Sequence, residues 1–250
     1  MPAFRRATPT PPGSIAARWS LFFGLGAPLL AAGGLYLAMH EMADSFIAFR
    51  VFGLALPAGG LGLLIGWIGL LRARGDRNPR AKRVSLLASI LSVLTLSGIV
   101  GLALPSVGFP IINDISTDLD DPPDFVKCAL LVANRGRDMS YPRSFAEKQR
   151  AGYPNLRGRT LPVAPEQALD RARAALESLP GIEVIDVDFN AGRLEATSVS
   201  RVFRFVDDVV VRIRPEGTGS RVDVRSKSRV GKGDLGANAA RIEGFLLALR

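Results

Sequence analysis

The 250-residue chain has one histidine and one cysteine. A zinc site of the Cys/His kind needs several such ligands close together, so none can be built here. A Ser-His-Asp triad would have to use His40, which stands at the end of an apolar run and away from the polar half of the chain. The single thiol, Cys128, cannot close an internal disulfide, so the domain that carries it must hold together by packing. It lies in "FVKCALLVA" and reads as a small buried residue. The phosphate-loop pattern is missing too, because Gly231-Lys232 is followed by Gly233 where Ser or Thr is required. A Ser226-Lys227 dyad fails because neighbouring strand residues point to opposite faces. No metal and no cofactor is expected, and any reaction would rest on Asp/Glu, Lys/Arg and Tyr alone.

Acidic charge is scarce in only one part of the chain. Residues 1–104 hold ten basic and three acidic side chains, an excess of seven. Residues 105–250 hold 22 basic and 20 acidic ones, an excess of two. The overall charge of +9 is therefore not massed on one polar surface, as a phosphate-binding face requires, and nucleic acid is not an expected partner.

Charge is absent altogether from three runs, Trp19–Met39, Val51–Leu71 and Val84–Leu104, each 21 residues long. At about 1.5 Å per residue each spans a hydrocarbon core about 30 Å thick. They read as three transmembrane helices, and the lipid bilayer is the first partner. Transporters place ionisable groups inside their spans, and these have none. Small residues recur at Gly62-x-x-x-Gly66 and Ser85-x-x-x-Ser89, a spacing that lets helices approach closely. Arg5, Arg6 and Arg18 precede the first run, and the loop "RARGDRNPRAKR" carries six basic residues, whereas "HEMADSFIAFR" is nearly neutral. Positive loops stay in the cytoplasm. The organisation expected is a cytoplasmic tail over 1–18, a three-helix membrane region over 19–104, and an extra-cytoplasmic domain over 105–250. In a bacterium the membrane is the inner one and the domain is periplasmic.

The outer domain opens irregularly, with eight prolines between residues 105 and 165 that preclude long regular elements. "NDISTDLDDPPD" (Asn113–Asp124) gathers five aspartates. These could offer oxygen ligands to calcium, though without the EF-hand spacing, or serve as turn and cap residues. A short helix is expected after Pro142, and a longer one from Pro165, where Leu169, Ala172, Leu176 and Leu179 recur at helical spacing. Three strands then follow in Ile182–Phe189, "RLEATSVSRVFRF" and "DDVVVRIRP", with "RVDVRSKSRV" as the fourth. A C-terminal helix carries Ile242, Phe245, Leu246 and Leu249 on one face. The fold class is α+β: an antiparallel sheet of about four strands packed by helices on one face.

"PEGTGS" closes the last hairpin, and setting Arg214 opposite Arg221 fixes its register. Ile213 then meets Val222, Val211 meets Val224, and Val209 meets Ser226 on one face. On the other, Arg212 meets Asp223 and Asp208 meets Lys227, leaving Arg225 and Arg229 without partners. The strand runs into "GKGDLGAN". Either this is a sharp turn with Asp234 capping a helix, or it is an anion site in which Arg225, Arg229 and Lys232 supply charge and Gly231 and Gly233 supply backbone N–H donors.

Two stretches together, "INDISTDLDDPPDF" and "FRFVDDVVVRIRP…GSRVDVRSKSRVGKGDLGANAARI", resemble the domain-of-unknown-function 1499 family over about residues 108–250. The positions that match its motifs are Asn113, Asp114, Thr117, Asp118, Asp207, Asp208, Arg225, Ser226, Ser228, Arg229, Gly231, Asp234, Gly236 and Asn238. The resemblance implies an envelope or lumenal setting and transfers no catalytic residue. Two functions follow: a membrane-anchored module that binds an envelope protein or anionic envelope component without catalysis, or an anchored hydrolase-like enzyme acting on an envelope lipid or polymer.

Overall fold

The structure is a computed structural model that describes residue 11 and residues 13–74 and 78–249. Arg5, Arg6 and Arg77, part of the charge behind the expected orientation, lie outside the described residues. The chain divides into two compact units, Met1–Pro105 and Ser106–Arg250.

The first unit contains α1 (Ser14–Met39), α2 (Ser45–Gly53), α3 (Ala55–Arg72) and α4 (Pro79–Ala103). Helices α2 and α3 follow each other with a break at Leu54, so three helical stretches are long and apolar enough to cross a membrane. The second and third begin several residues before their apolar runs because polar caps set their starts. Asp44 accepts from the Phe46 amide at 2.8 Å, and Asn78 accepts from the Ala81 amide at 3.0 Å with Pro79 in the first turn. Small residues bring the helices together. A Cβ on Gly24 would stand 2.8 Å from the Ala88 carbonyl, and one on Gly62 would stand 2.5 Å from Ser92 Oγ. Gly66 faces Ser89 in the same way, so both small-residue spacings are used within the bundle.

The second unit contains β1 (Asp114–Ser116), α5 (Lys127–Leu130), α6 (Phe145–Gly152), β2 (Arg159–Leu161), α7 (Pro165–Glu177), β3 (Ile182–Asp188), β4 (Arg193–Val199), β5 (Val206–Glu216), β6 (Gly219–Ser228) and α8 (Ala237–Ala248). All strand pairs are antiparallel, in the order β1-β6-β5-β4-β3, with β2 also on β6. The sheet thus has six strands rather than four. The two extra strands are three-residue pieces of the proline-rich segment that dock on the outer edge of β6.

The expected hairpin register holds, with Arg214 opposite Arg221, Ile213 opposite Val222 and Arg212 opposite Asp223. It turns Val209, Val211, Ile213, Val222 and Val224 to one face, where Leu169 and Leu176 of α7 and Ile242 and Phe245 of α8 complete the core. Proline at the first position and a stripe of Leu and Ala explain α7. The other face of the sheet is covered by residues 117–141, and what lies between is mostly charged.

Candidate functional site

A strand that buries one face apolar and the other charged needs a partner for every charge. Asp114, on β1, supplies the first. Its carboxylate takes Nε of Arg225 at 2.9 Å and Nη2 at 2.8 Å, and Nζ of Lys227 at 2.8 Å. Arg225 is fully buried. It also donates to the carbonyls of Pro123 (3.1 Å) and Met139 (2.8 Å), and its guanidinium lies 4.8 Å from the Phe125 ring centre and 5.6 Å from that of Tyr141. One side chain therefore fastens three places of the irregular segment to the sheet. Burial, and then the charge of Asp114, push the Tyr141 hydroxyl well above its ordinary range.

Asp208, on β5, is the second buried anchor. It accepts Nη2 of Arg229 at 2.6 Å and Nδ2 of Asn134 at 2.9 Å. Arg137 reaches Oδ1 of Asn134 and the Ser228 carbonyl. Glu195, on β4, points its carboxylate at the backbone N–H groups of Val126, Lys127 and Cys128, at 2.8–3.1 Å, and pairs with Arg193 at 3.0 Å. This seats α5, with Cys128 packed on Val210. Burial and the charges of Asp208 and Glu195 push the thiol far up, so it is held protonated.

Asp223 forms the third centre. It accepts from Thr117 Oγ1 (3.2 Å), Arg214 (3.2 Å) and Arg221 (3.0 Å), with Arg212 at 3.9 Å. Asp118 pairs with Arg212 (3.3 Å) and Arg214 (3.0 Å). Burial pushes the Asp118 carboxyl up. Hydrogen bonds from the Asp121 and Asp120 amides and Arg214, with the charge of Arg212, outweigh it and hold the group below the usual carboxylate range.

The remaining motif residues lie at the core-side end of β6. Ser226 donates to Asn238 at 2.7 Å, Asn238 donates to Ser228 at 2.9 Å, and Arg241 joins Ser226, Asn238 and Asp207. Asp234 accepts from the Gly236 and Asn238 amides at 2.9 Å, which is the cap role expected for it at the start of α8. Asn113 donates to the Gly231 carbonyl at 2.7 Å.

Two expectations need correcting. Arg225 and Arg229 do have partners, Asp114 and Asp208, and Lys227 turns from Asp208 to Asp114. The facing-pair scheme for β5 and β6 did not include β1, which brings a third carboxylate to the same face. As a result two of the five anion-site candidates, Arg225 and Arg229, are already engaged by carboxylates. Arg225 is beneath the 117–141 segment, Arg229 is bound along one edge, and Lys232 is exposed on the loop. Gly231 and Gly236 have φ of 87° and 85°, the left-handed region that favours glycine. Gly233 lies close under Ile111: a Cβ there would stand 3.3 Å from the Ile111 side chain. For the aspartates at 114–124, no group of metal-ligating side chains is found among the described residues.

Local sequence carries no cue to Glu195, Asn134, Gln149 or Arg241. Glu195 alternates with Leu194 and Ala196 and so resembles a solvated strand residue. Gln149 Nε2 donates to the Ser116 carbonyl and its Oε1 accepts from the Ser116 amide and the Tyr141 hydroxyl, which joins α6 to β1. Beside this network is an open cleft of about 500 Å³, lined by Thr117, Asp118, Gln149, Tyr153, Arg157 and Arg221. Its two carboxylates, Asp118 and Asp120, and its threonine are already engaged, while Arg157 is exposed with no ion pair among the described residues.

The family described as "Protein of unknown function (DUF1499)" matches residues 114–249. The chain belongs to this family. The domain-of-unknown-function 1499 match thus begins at Asp114, the first buried anchor, and spans every strand of the sheet. No curated protein matches the chain. The crystal structure of TTHA0849 from Thermus thermophilus aligns with 37% of this chain and 90% of its own at 16% identity, with a TM-score of 0.24, too slight a likeness to carry an argument.

Proposed function

We propose that the protein resides in a bacterial inner membrane with its N-terminus in the cytoplasm, and presents the Ser106–Arg250 unit in the periplasm as a non-catalytic module. The module binds or braces an envelope protein or an anionic envelope component. What supports this is the state of the charged residues matched to the family's motifs. Asp114, Asp208 and Arg225 are fully buried and engaged in ion pairs, so the groups best suited to acid–base work are used in holding the fold. The positive loop between α3 and α4 supports the orientation.

A second reading, an anchored hydrolase-like enzyme, is favoured by the cleft, where the ionised Asp118 lies near Thr117 and Tyr153. Two measurements decide. Alkaline phosphatase fused after Leu249 is expected to be active, and fused after Arg80 inactive; the reverse pattern overturns the orientation. Membranes holding the wild type are then incubated with labelled envelope lipid and polymer. A product that disappears in Asp118→Asn at a temperature where Cys128 stays protected from labelling, so that the unit is still folded, overturns the non-catalytic reading.

A further inference from the structure

Single exposed apolar side chains on a protein are ordinary, but a contiguous set marks a contact surface. Such a set lies where the chain leaves α4. Val107 and Ile111 are 76% and 74% exposed, with Phe109 exposed between them. They alternate along the stretch that follows α4 in the chain. The glycine loop after β6 adds Val230 and Leu235, the latter 63% exposed.

Loop and linker form one surface. Ser228 donates its amide to the Asn113 carbonyl at 2.8 Å, Asp234 donates its amide to the Ile112 carbonyl at 3.2 Å, and Asn113 holds Gly231. Ile111 lies over Gly233, and the Phe109 ring lies against Gly236, where an added Cβ would stand 2.5 Å from it. Leu235 has φ of 56°, a left-handed backbone that a leucine resists. That strain is not offset by burial of the side chain, which stays in the open. Lys232 stands in the same loop, exposed and with no ion-pair partner among the described residues.

We propose that the linker Val107–Ile111 and the loop Val230–Leu235 rest on the leaflet from which α4 emerges, with Val107, Ile111 and Leu235 among acyl chains and Lys232 at lipid phosphates. Chain length allows it. Ile111 is eight residues beyond Ala103, a reach of about 28 Å at most. The pairing of an apolar patch with one snorkelling cation suits an interface and not a protein core. This inference needs only that the helices cross a bilayer; it holds whichever compartment the unit occupies.

The test uses the full chain in nanodiscs. Cys128 is buried with its thiol held protonated, so it stays unlabelled while Leu235→Cys, Val107→Cys or Thr218→Cys takes a bimane dye. Thr218 lies at the opposite end of the ten-residue β6, about 30 Å from the loop. Lipids brominated near the headgroup are expected to quench the dye at 107 and 235 several-fold more than at 218. Lys232→Glu is expected to shift the docked fraction at 235 by about fivefold. Equal quenching at 235 and 218 overturns the proposal, as does quenching at 235 that requires a second labelled copy, which would make the patch a self-association surface. Trp19 and Trp67, both exposed on the helices, are the internal control. If they are quenched and residue 235 is not, only the docking fails; if they are not quenched, the membrane reading itself fails.

Discussion

Asp114→Asn keeps the shape of the side chain and removes its charge. Arg225, fully buried, and Lys227, 9% exposed at its side chain, would then face each other with no anion between them. Removing one partner of a buried pair costs about 3–5 kcal/mol, chiefly because the remaining charge is stranded. Asn retains one acceptor and Lys227 can draw in water at the rim, so the low end, about 3 kcal/mol, is expected. For a unit of roughly 145 residues each kcal/mol lowers Tm by about 2–4 °C, which gives a drop of about 6–12 °C. The sole cysteine provides the readout: Cys128 is buried and reacts only when residues 125–131 come off the sheet. Thiol labelling of the whole protein against temperature therefore reports this unit without interference from the helices. A drop under about 2 °C, the size of an exposed pair, would mean that the cluster is solvated and that the ionic layer does not hold the segment down.

Glu195→Ala removes the acceptor for three amides at α5, and faster Cys128 labelling at constant temperature is expected, with a smaller Tm loss than for Asp114→Asn. Gly236→Ala is expected to destabilise by more than about 1 kcal/mol, because it adds strain at a left-handed φ and meets Phe109; a neutral denaturation midpoint would refute that packing. Asp118 has a lowered pKa in the folded state, so its contribution is complete above its ordinary value of 3.8 and is lost as pH falls below that. Asp118→Asn should flatten the acid limb of a stability–pH curve below pH 3.8. Arg212→Asp with Asp223→Arg is not expected to recover stability, because Arg214 and Arg221 would be left around the new arginine at 223; recovery in a double-mutant cycle would show the pair to be isolated.

The apolar spans, the helices from Pro165 and before Leu249, and the β5–β6 register were legible because each depends on a local period or on one turn. Charge patterning added the correct facing residues, Arg212 with Asp223 and Asp208 with Lys227. The Arg212–Asp223 ion pair follows from it, but Lys227 pairs elsewhere, because a third carboxylate, Asp114, arrives from more than a hundred residues away. Strands β1 and β2 were hidden for the same reason: each has three residues and exists only because β6 offers an open edge. The motif positions were visible as chemistry without a task. Their task is long-range, since Arg225 needs Asp114, Pro123 and Met139 together.

That span has a kinetic side. Asp114 is made soon after α4, yet its partners Arg225 and Lys227 lie near the end of the chain. Until β6 is synthesised, β1 has no strand to pair with and Asp114 has neither of its cations. Closing loops of this length makes the unit a slow folder by topology. The waiting segment is open to proteases and to quality control, so a chain cut short before Arg225 loses its first element along with its last. A clean reporter of complete translation is thus built into the unit: protection of Asp114–Ser116 appears only when β6 has paired with them.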